Sequence, residues 1–281
     1  MTPKRSSPTH SEAADGEQTP KKRSKRVPVA VEPPYEFSLE SVSQAIRSAT
    51  TSVLPDELVV KMFDQHAKTI YLTADRSSWV YHVPRWYRLM FKHSNPDSKY
   101  ADWFHAAWEE HPTNYDTIKL FGKDAQIHRF HLACGDLDYR FSGNTFHARP
   151  FPDAFLTAVV QMQAAVNGDH YIGPHSDNEK IILPGSPILA LSLGASRRFV
   201  FTPRAKPKSS TSVSPPSDAN GHVMLKQPTG RKAELLLSDG DLVVMGGTTQ
   251  RTHKHALPKM KACQGKRISI TLRCFRPEGN L

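Results

Sequence analysis

Polar and charged residues fill the first 34 positions, and no apolar periodicity emerges among them. Such a segment cannot bury enough surface to offset its chain entropy, so a disordered basic tail is expected over 1–34. From Ser38 the pattern changes. Leu39–Ala49 and Pro55–His66 carry apolar residues at helical spacing, the second with Leu58, Val59, Met62 and Phe63 on one face. Trp79–Val83 reads as a strand stopped by Pro84. Ala101–Glu110 reads as a helix whose apolar stripe is Trp103, Phe104 and Trp108. Residues 35–114 are therefore expected to form a helical N-terminal region.

Downstream the period shortens to that of strands. Thr117–Phe121 and Gln126–Phe130 flank Gly122-Lys123-Asp124-Ala125, which predicts a hairpin, and Leu137–Phe141 alternates up to Ser142-Gly143. Pro152–Val166 breaks the run, because Phe155, Val159, Met162 and Val166 recur at helical spacing. Ile188–Leu193, Arg198–Thr202, Ala233–Leu237, Asp241–Met245 and Arg267–Phe275 then read as strands, with the Lys-, Ser-, Pro- and Gly-rich 204–231 as a flexible insertion. Strands joined by turns, with no helices between them, predict an antiparallel barrel or double-sheet jelly roll over 115–281. The expected class is mainly β with flanking helices.

Composition narrows the setting. No apolar run approaches a membrane span and the start of the chain is polar, so neither a membrane segment nor a secretory signal is expected. Cys134, Cys263 and Cys274 are widely spaced and form no CxxC, which argues against a disulfide framework or a cysteine zinc site and fits a reducing compartment. The formal net charge is +10. A basic chain suits a polyanionic partner, nucleic acid being the commonest, although an inert basic surface would give the same count. Lys21-Lys22-Arg23-Ser24-Lys25-Arg26 is a compact run of the nuclear-import kind, so a nuclear location is expected.

The candidate chemistry begins at His175-Ser176-Asp177. Residues i and i+2 of an extended segment point to one face, so an imidazole and a carboxylate there can share a cation. With 14 histidines in the chain such pairs also arise by chance, as His10-Ser11-Glu12 illustrates. A third ligand is needed for the two-histidine, one-carboxylate set that binds Fe(II) and leaves open positions. His255 supplies it, with His253 as competitor. In Arg267-Ile268-Ser269-Ile270-Thr271-Leu272-Arg273 the polar residues alternate with apolar ones, so both arginines share a face. Arginines pointing into a barrel are costly unless anions meet them, and a dicarboxylate such as 2-oxoglutarate would do so.

Taken in order, His175-x-Asp177, Gly185-Ser186-Pro187-Ile188 leading to Ser192-Leu193-Gly194-Ala195, His255-Ala256-Leu257-Pro258 and Arg267-x-Ser269-x-Thr271-x-Arg273 resemble the AlkB-type Fe(II)/2-oxoglutarate dioxygenases. The likeness spans about residues 115–275 and is nearest to the nuclear members that repair duplex DNA. It implies a double-stranded β-helix core with Fe(II) bound by His175, Asp177 and His255. It also implies that Arg267 holds the distal carboxylate of 2-oxoglutarate and Arg273 the one near the metal, with Ser269 where the family commonly has Asn. A nucleotide-recognition lid is implied over about 115–150. In it Phe121 of Leu120-Phe121-Gly122-Lys123 fills the gap left by a flipped base, Arg129 lies near the DNA, and Tyr139 and Phe141 belong to the lid, with Phe141 against the base. Asn178 and Glu179 fall where the family has acidic residues near the base.

The implied activity is oxidative demethylation of 1-methyladenine- or 3-methylcytosine-type bases, with the methyl carbon leaving as formaldehyde. The partner would be DNA, or else RNA, with no membrane, and the protein a monomer. The family also has a strand before the His-x-Asp motif, whose Asn and Tyr positions would fall here near Gln163 and Ala165. Either Ala158–Val166 serves as that strand at the expense of the predicted helix, or a core strand is missing. The alternatives to a DNA demethylase are a catalytically impaired AlkB-like nucleic-acid-binding protein and an AlkB-like oxygenase acting on RNA or protein.

Overall fold

β2 (Ser78–Val83) is buried along its whole length, which requires cover on both of its faces. The structure, a computed structural model, describes residues 37–94, 104, 108–109, 111–134, 138–141, 144–149, 159–204 and 230–276. Within them β2 joins a seven-stranded sheet. Its order is β1 (Lys68–Tyr71), β2, β13 (Leu242–Gly247), β10 (Ile188–Gly194), β15 (Arg267–Arg273), β8 (Val159–Ala165) and β5 (Phe130–Cys134). A four-stranded sheet runs β12 (Ala233–Leu237), β11 (Arg197–Pro203), β14 (His253–Leu257) and β9 (Ile172–His175). Two separate hairpins pair β3 (Thr117–Leu120) with β4 (Lys123–Gln126) and β6 (Tyr139–Phe141) with β7 (Asn144–Phe146). Every named strand pair among the described residues is antiparallel.

Alternation along β2 explains how the layers assemble. Trp79, Tyr81 and Val83 point toward α1 (Leu39–Thr51) and the helical run Asp56–His66, meeting Val42, Ile46, Val59, Met62 and Phe63. That run is α-helical only to Val60 and continues as a π-helix over Lys61–His66. Val80 points the other way, into a cluster with Ile188, Phe199, Phe201, Val243, Met245 and Leu257 contributed by strands of both sheets. Each fully buried Phe or Leu there contributes about 2 kcal/mol through water exclusion. Gly246, opposite Trp79 in the register, lets the indole lie against the backbone; a Cβ there would sit 2.0 Å from the ring.

Three expectations need correction. The segment with helical apolar spacing is a strand where it is described: β8 pairs with β15 from Val159↔Arg273 to Ala165↔Arg267 and with β5 through Phe130↔Ala164. No core strand is therefore missing at this place. Met162 and Val166 satisfy a helical period, but two flanking ladders give the backbone a partner on each side, and tertiary pairing overrides the local pattern. Residues 152–158 of the predicted helix lie outside the described residues. Second, the hairpin turn is Phe121-Gly122, not Gly122–Ala125: Leu120 pairs with Lys123 and Lys119 with Asp124, the latter also an ion pair. The predicted strand Gln126–Phe130 accordingly divides between the end of β4 and the start of β5. Third, residue 115 is no physical boundary. Pro34–Leu281 is one compact unit, and β1 and β2 of the supposedly helical region are part of the larger sheet.

The expected tail 1–34 and almost all of the insertion 204–231 lie outside the described residues, as does most of Ala101–Glu110, where Phe104 and Trp108 are helical. No helix among the described residues is long and apolar enough to cross a membrane.

Candidate active site

His175 ends β9, and across the ladder its partner is His255 on β14. Asp177, two residues on, completes a group of three whose ligand atoms all lie within 4.8 Å of one another. His175 Nε2 is 3.4 Å from Asp177 Oδ1, His255 Nε2 is 4.0 Å from the same oxygen, and the two rings are 4.2 Å apart. The loop is pinned rather than draped. Ser176 Oγ donates to the His253 carbonyl at 2.7 Å, and the Asp177 N–H donates to Gln250 Oε1 at 3.0 Å. His175 Nδ1 lies 2.9 Å from the Gly173 carbonyl; as an N–H donor there it leaves Nε2 with its lone pair toward Asp177.

Asp177 is buried. Burial alone would raise its pKa, but the Arg273 charge and the two histidines outweigh this and hold the carboxyl well below the usual carboxylate range. Arg273 donates from Nε at 3.0 Å and from a terminal nitrogen at 2.6 Å, both to Oδ2. One carboxylate oxygen is thereby committed to the larger sheet while the other faces the histidines. His255 is pushed down to about 3, first by burial and then by His175, with Asp177 opposing. It is a neutral imidazole at neutral pH, the form that binds a metal. This donor set, two imidazoles and one carboxylate on one side of a common point, suits Fe(II).

His253 is not part of the group. Its Nδ1 lies 2.8 Å from Thr252 Oγ1 and its Nε2 3.2 Å from the Arg231 carbonyl.

The strand face expected of β15 is present, and both of its arginines are buried, Arg267 at 3% and Arg273 at 7% exposure. Arg267 donates to Ser192 Oγ at 2.7 Å, and its Nε is buried with no partner. Burial, and then the neighbouring Arg197 charge, lower its pKa to about 10, so it remains a cation at neutral pH. A buried cation with an unmet donor beside a cavity suits a carboxylate, and Arg267 and Ser269 both line such a cavity. Two donors of Arg273 meet Asp177.

The residues assigned to base recognition lie on several elements. Phe121 stands at the tip of the β3–β4 hairpin, fully exposed at 103%. Its φ of 51° is one a bulky side chain rarely adopts, and Gly122 follows at 77°, so both turn residues have the positive φ of a type I′ hairpin. Arg129 is partly buried and lines the cavity with Arg267. Asn178 is exposed and Glu179 partly buried just beyond Asp177. Tyr139 and Phe141 pair with Phe146 and Asn144 through the backbone; their side chains lie outside the described residues.

Sequence reading missed Gln250, Ser192 as a partner of Arg267, and Arg197. Arg197 is fully buried and donates to the carbonyls of Asn167, His170 and Pro258 at 3.1, 2.8 and 2.9 Å, tying the loop before β9 to the end of β14. A signal for it existed. In Arg197-Arg198-Phe199-Val200-Phe201 the alternation puts Arg197 on the face of Phe199 and Phe201. Nothing local marks Gln250.

A family model described as the 2OG-Fe(II) oxygenase superfamily matches residues 89–273. The DNA oxidative demethylase ALKBH2 of Homo sapiens is 30% identical over 173 residues, covering 56% of this chain and 60% of that protein. The protein of the same name from Arabidopsis thaliana is 33% identical over 103 residues, 37% of this chain and 33% of that one. This chain thus spans about three-fifths of the length of the human relative. The solved structure of OsALKBH1 superposes with a TM-score of 0.41 at 13% identity, over 69% of this chain and 97% of that one. Membership rests on the family model and not on that superposition. With well over half of its length matched, this chain belongs to the 2OG-Fe(II) oxygenase superfamily.

Proposed function

We propose that this chain is an Fe(II)- and 2-oxoglutarate-dependent dioxygenase that removes alkyl groups oxidatively from bases in DNA. The observation that carries the reading is the convergence of His175, Asp177 and His255, from positions far apart in the chain, on one metal-sized point, with the buried Arg273 holding Asp177. In this reading the two sheets are the facing halves of a double-stranded β-helix. His175, Asp177 and His255 would hold iron, and Arg267, with Ser269 beside it, would receive the distal carboxylate of 2-oxoglutarate. Bound iron with 2-oxoglutarate and O2 supplies oxidation of the alkyl carbon, which leaves the base as an aldehyde.

The chain's own residues then do the positioning. Arg273 fixes one oxygen of Asp177 so that the other keeps its aim. Gln250 and Ser176 hold the loop, and neutral His255 needs to release no proton on metal binding. Support for DNA as substrate comes from the name and identity of the curated relatives and from Phe121. An exposed apolar side chain on a narrow hairpin suits the wedge that replaces an extruded base, which an enzyme acting on a base within a duplex requires. Asn178 and Glu179, next to Asp177, would face that base. The Lys21–Arg26 run supports action in the nucleus.

The test is formaldehyde release from duplex oligonucleotides carrying N1-methyladenine or N3-methylcytosine, with iron and 2-oxoglutarate. Asp177→Ala is expected to lower the rate by at least about 100-fold and to abolish metal binding in equilibrium dialysis. Wild-type-like turnover or metal uptake by that variant would sink the assigned triad.

A further inference from the structure

Gln250 lies on the single helical turn Thr249–Thr252 that links β13 to β14. Its Oε1 accepts the Asp177 N–H at 3.0 Å, a contact across 73 residues, and its Nε2 donates to Met245 Sγ at 3.6 Å. Together the two contacts fix which way the amide faces. Turned over, it would set a donor against the Asp177 N–H and leave its oxygen against the sulfur.

The turn that carries Gln250 is itself held. Thr249 Oγ1 accepts the Trp79 N–H at 3.1 Å and donates to the Gly246 carbonyl at 2.6 Å. Ser78 Oγ lies 2.6 Å from Thr248 Oγ1 and 2.8 Å from Thr252 Oγ1. Ser78 and Trp79 open β2, so the first strands of the larger sheet fix the turn, and the turn fixes Asp177. Asp177 needs such an anchor because it lies beyond the end of β9, where the ladder stops. Arg273 holds its Oδ2, Gln250 holds its backbone N–H, and Oδ1 is the oxygen turned toward His175 and His255.

Resting on the metal reading above, we propose that Gln250 is a positioning residue for the metal centre. By accepting the Asp177 N–H it sets where Oδ1 stands relative to the two imidazoles, and with that the affinity for a divalent metal. It acts through Asp177 and is not itself a ligand.

Calorimetric titration of the full chain with Mn(II) tests this. Gln250→Met keeps the length of the side chain but removes the acceptor, and it should weaken Mn(II) binding about ten- to a hundred-fold, the size of a lost partner behind a ligand. Gln250→Glu restores an oxygen at the same place and should bind Mn(II) close to wild type. Asp241→Asn, whose destabilisation arises elsewhere in the fold, should also bind close to wild type, which separates positioning from general stability. If Gln250→Met fails to fold by thermal melting, Gln250→Asn carries the test: one methylene shorter, it should lose affinity too. Wild-type Mn(II) affinity in the folded variant that lacks the acceptor overturns the proposal. So does a Gln250→Glu variant as weak as Gln250→Met, or an equal loss in Asp241→Asn. In each of these cases the wild type still binds Mn(II), and the assigned triad stands. A wild type that takes up no Mn(II) removes the metal reading itself, and the proposal with it.

Discussion

Burying a carboxylate costs several kcal/mol unless fixed donors replace its water, and among the described residues this is done at Asp177 and at Asp241. At Asp177 the donors come from Arg273. At Asp241 they are the Arg85 N–H at 2.9 Å and the Ser238 N–H at 3.0 Å, with His82 Nε2 also at 3.0 Å. Burial would raise the Asp241 pKa, but these partners, His82 foremost, outweigh it and leave the pKa lowered from 3.8. A carboxyl whose native pKa lies below its unfolded value binds fewer protons when folded. Its contribution is therefore present above the unfolded pKa and is lost as pH falls through the native one. Asp241→Asn should then lower stability by about 3 kcal/mol at neutral pH, measured by denaturant unfolding. The gap from wild type should narrow once the pH drops below 3.8; a gap independent of pH would refute an ionised Asp241. His175 and Asp177 were legible because spacing in a strand decides which side chains share a face. Asp241 was not, since its partners lie at residues 82, 85 and 238.

The β3–β4 hairpin shows what an element can reveal that its residues do not. A type I′ turn has positive φ at both central positions, and here one of them is Phe121 at 51°. A bulky L-residue in that conformation costs about 1 kcal/mol, so its persistence at the tip calls for a use. Phe121→Gly relieves the strain while deleting the wedge. The variant should melt no lower than wild type, demethylate single-stranded oligonucleotides normally and lose most activity on duplex. Equal activity on duplex would remove Phe121 from base extrusion, and the unchanged melting temperature would rule out a damaged hairpin as the cause. β8 is the converse case. Its residues fit a helical period, and only the ladders to β15 and β5 make it a strand.

For the whole molecule, the layers show that the N-terminal region is structural. α1 and the helical run after it cover the outer face of β2 and β13, and β2 completes the sheet that presents Arg267 and Arg273. Pro34–Leu281 is compact by itself. Removal of residues 1–33 should therefore leave the melting temperature unchanged, while a fluorescent fusion loses its nuclear accumulation together with the Lys21–Arg26 run. A large fall in melting temperature would show that the tail contributes to the fold. Retained nuclear accumulation would show that the import signal lies elsewhere.

The sequence by itself determined the strand-rich class, the chain order of most strands and the residues of the candidate triad and its flanking arginines. Those features depend on alternation and on short spacings, which are local properties of the chain. Tertiary structure alone decided the rest. It made a helix-patterned segment an interior strand, because backbone pairing on two sides outweighs a weak local preference. It placed Arg129 in the wall of a cavity, because the register of three strands aligned it with Ala165 and Arg267. It also gave Arg273 to Asp177, a contact across 96 residues that no local pattern encodes.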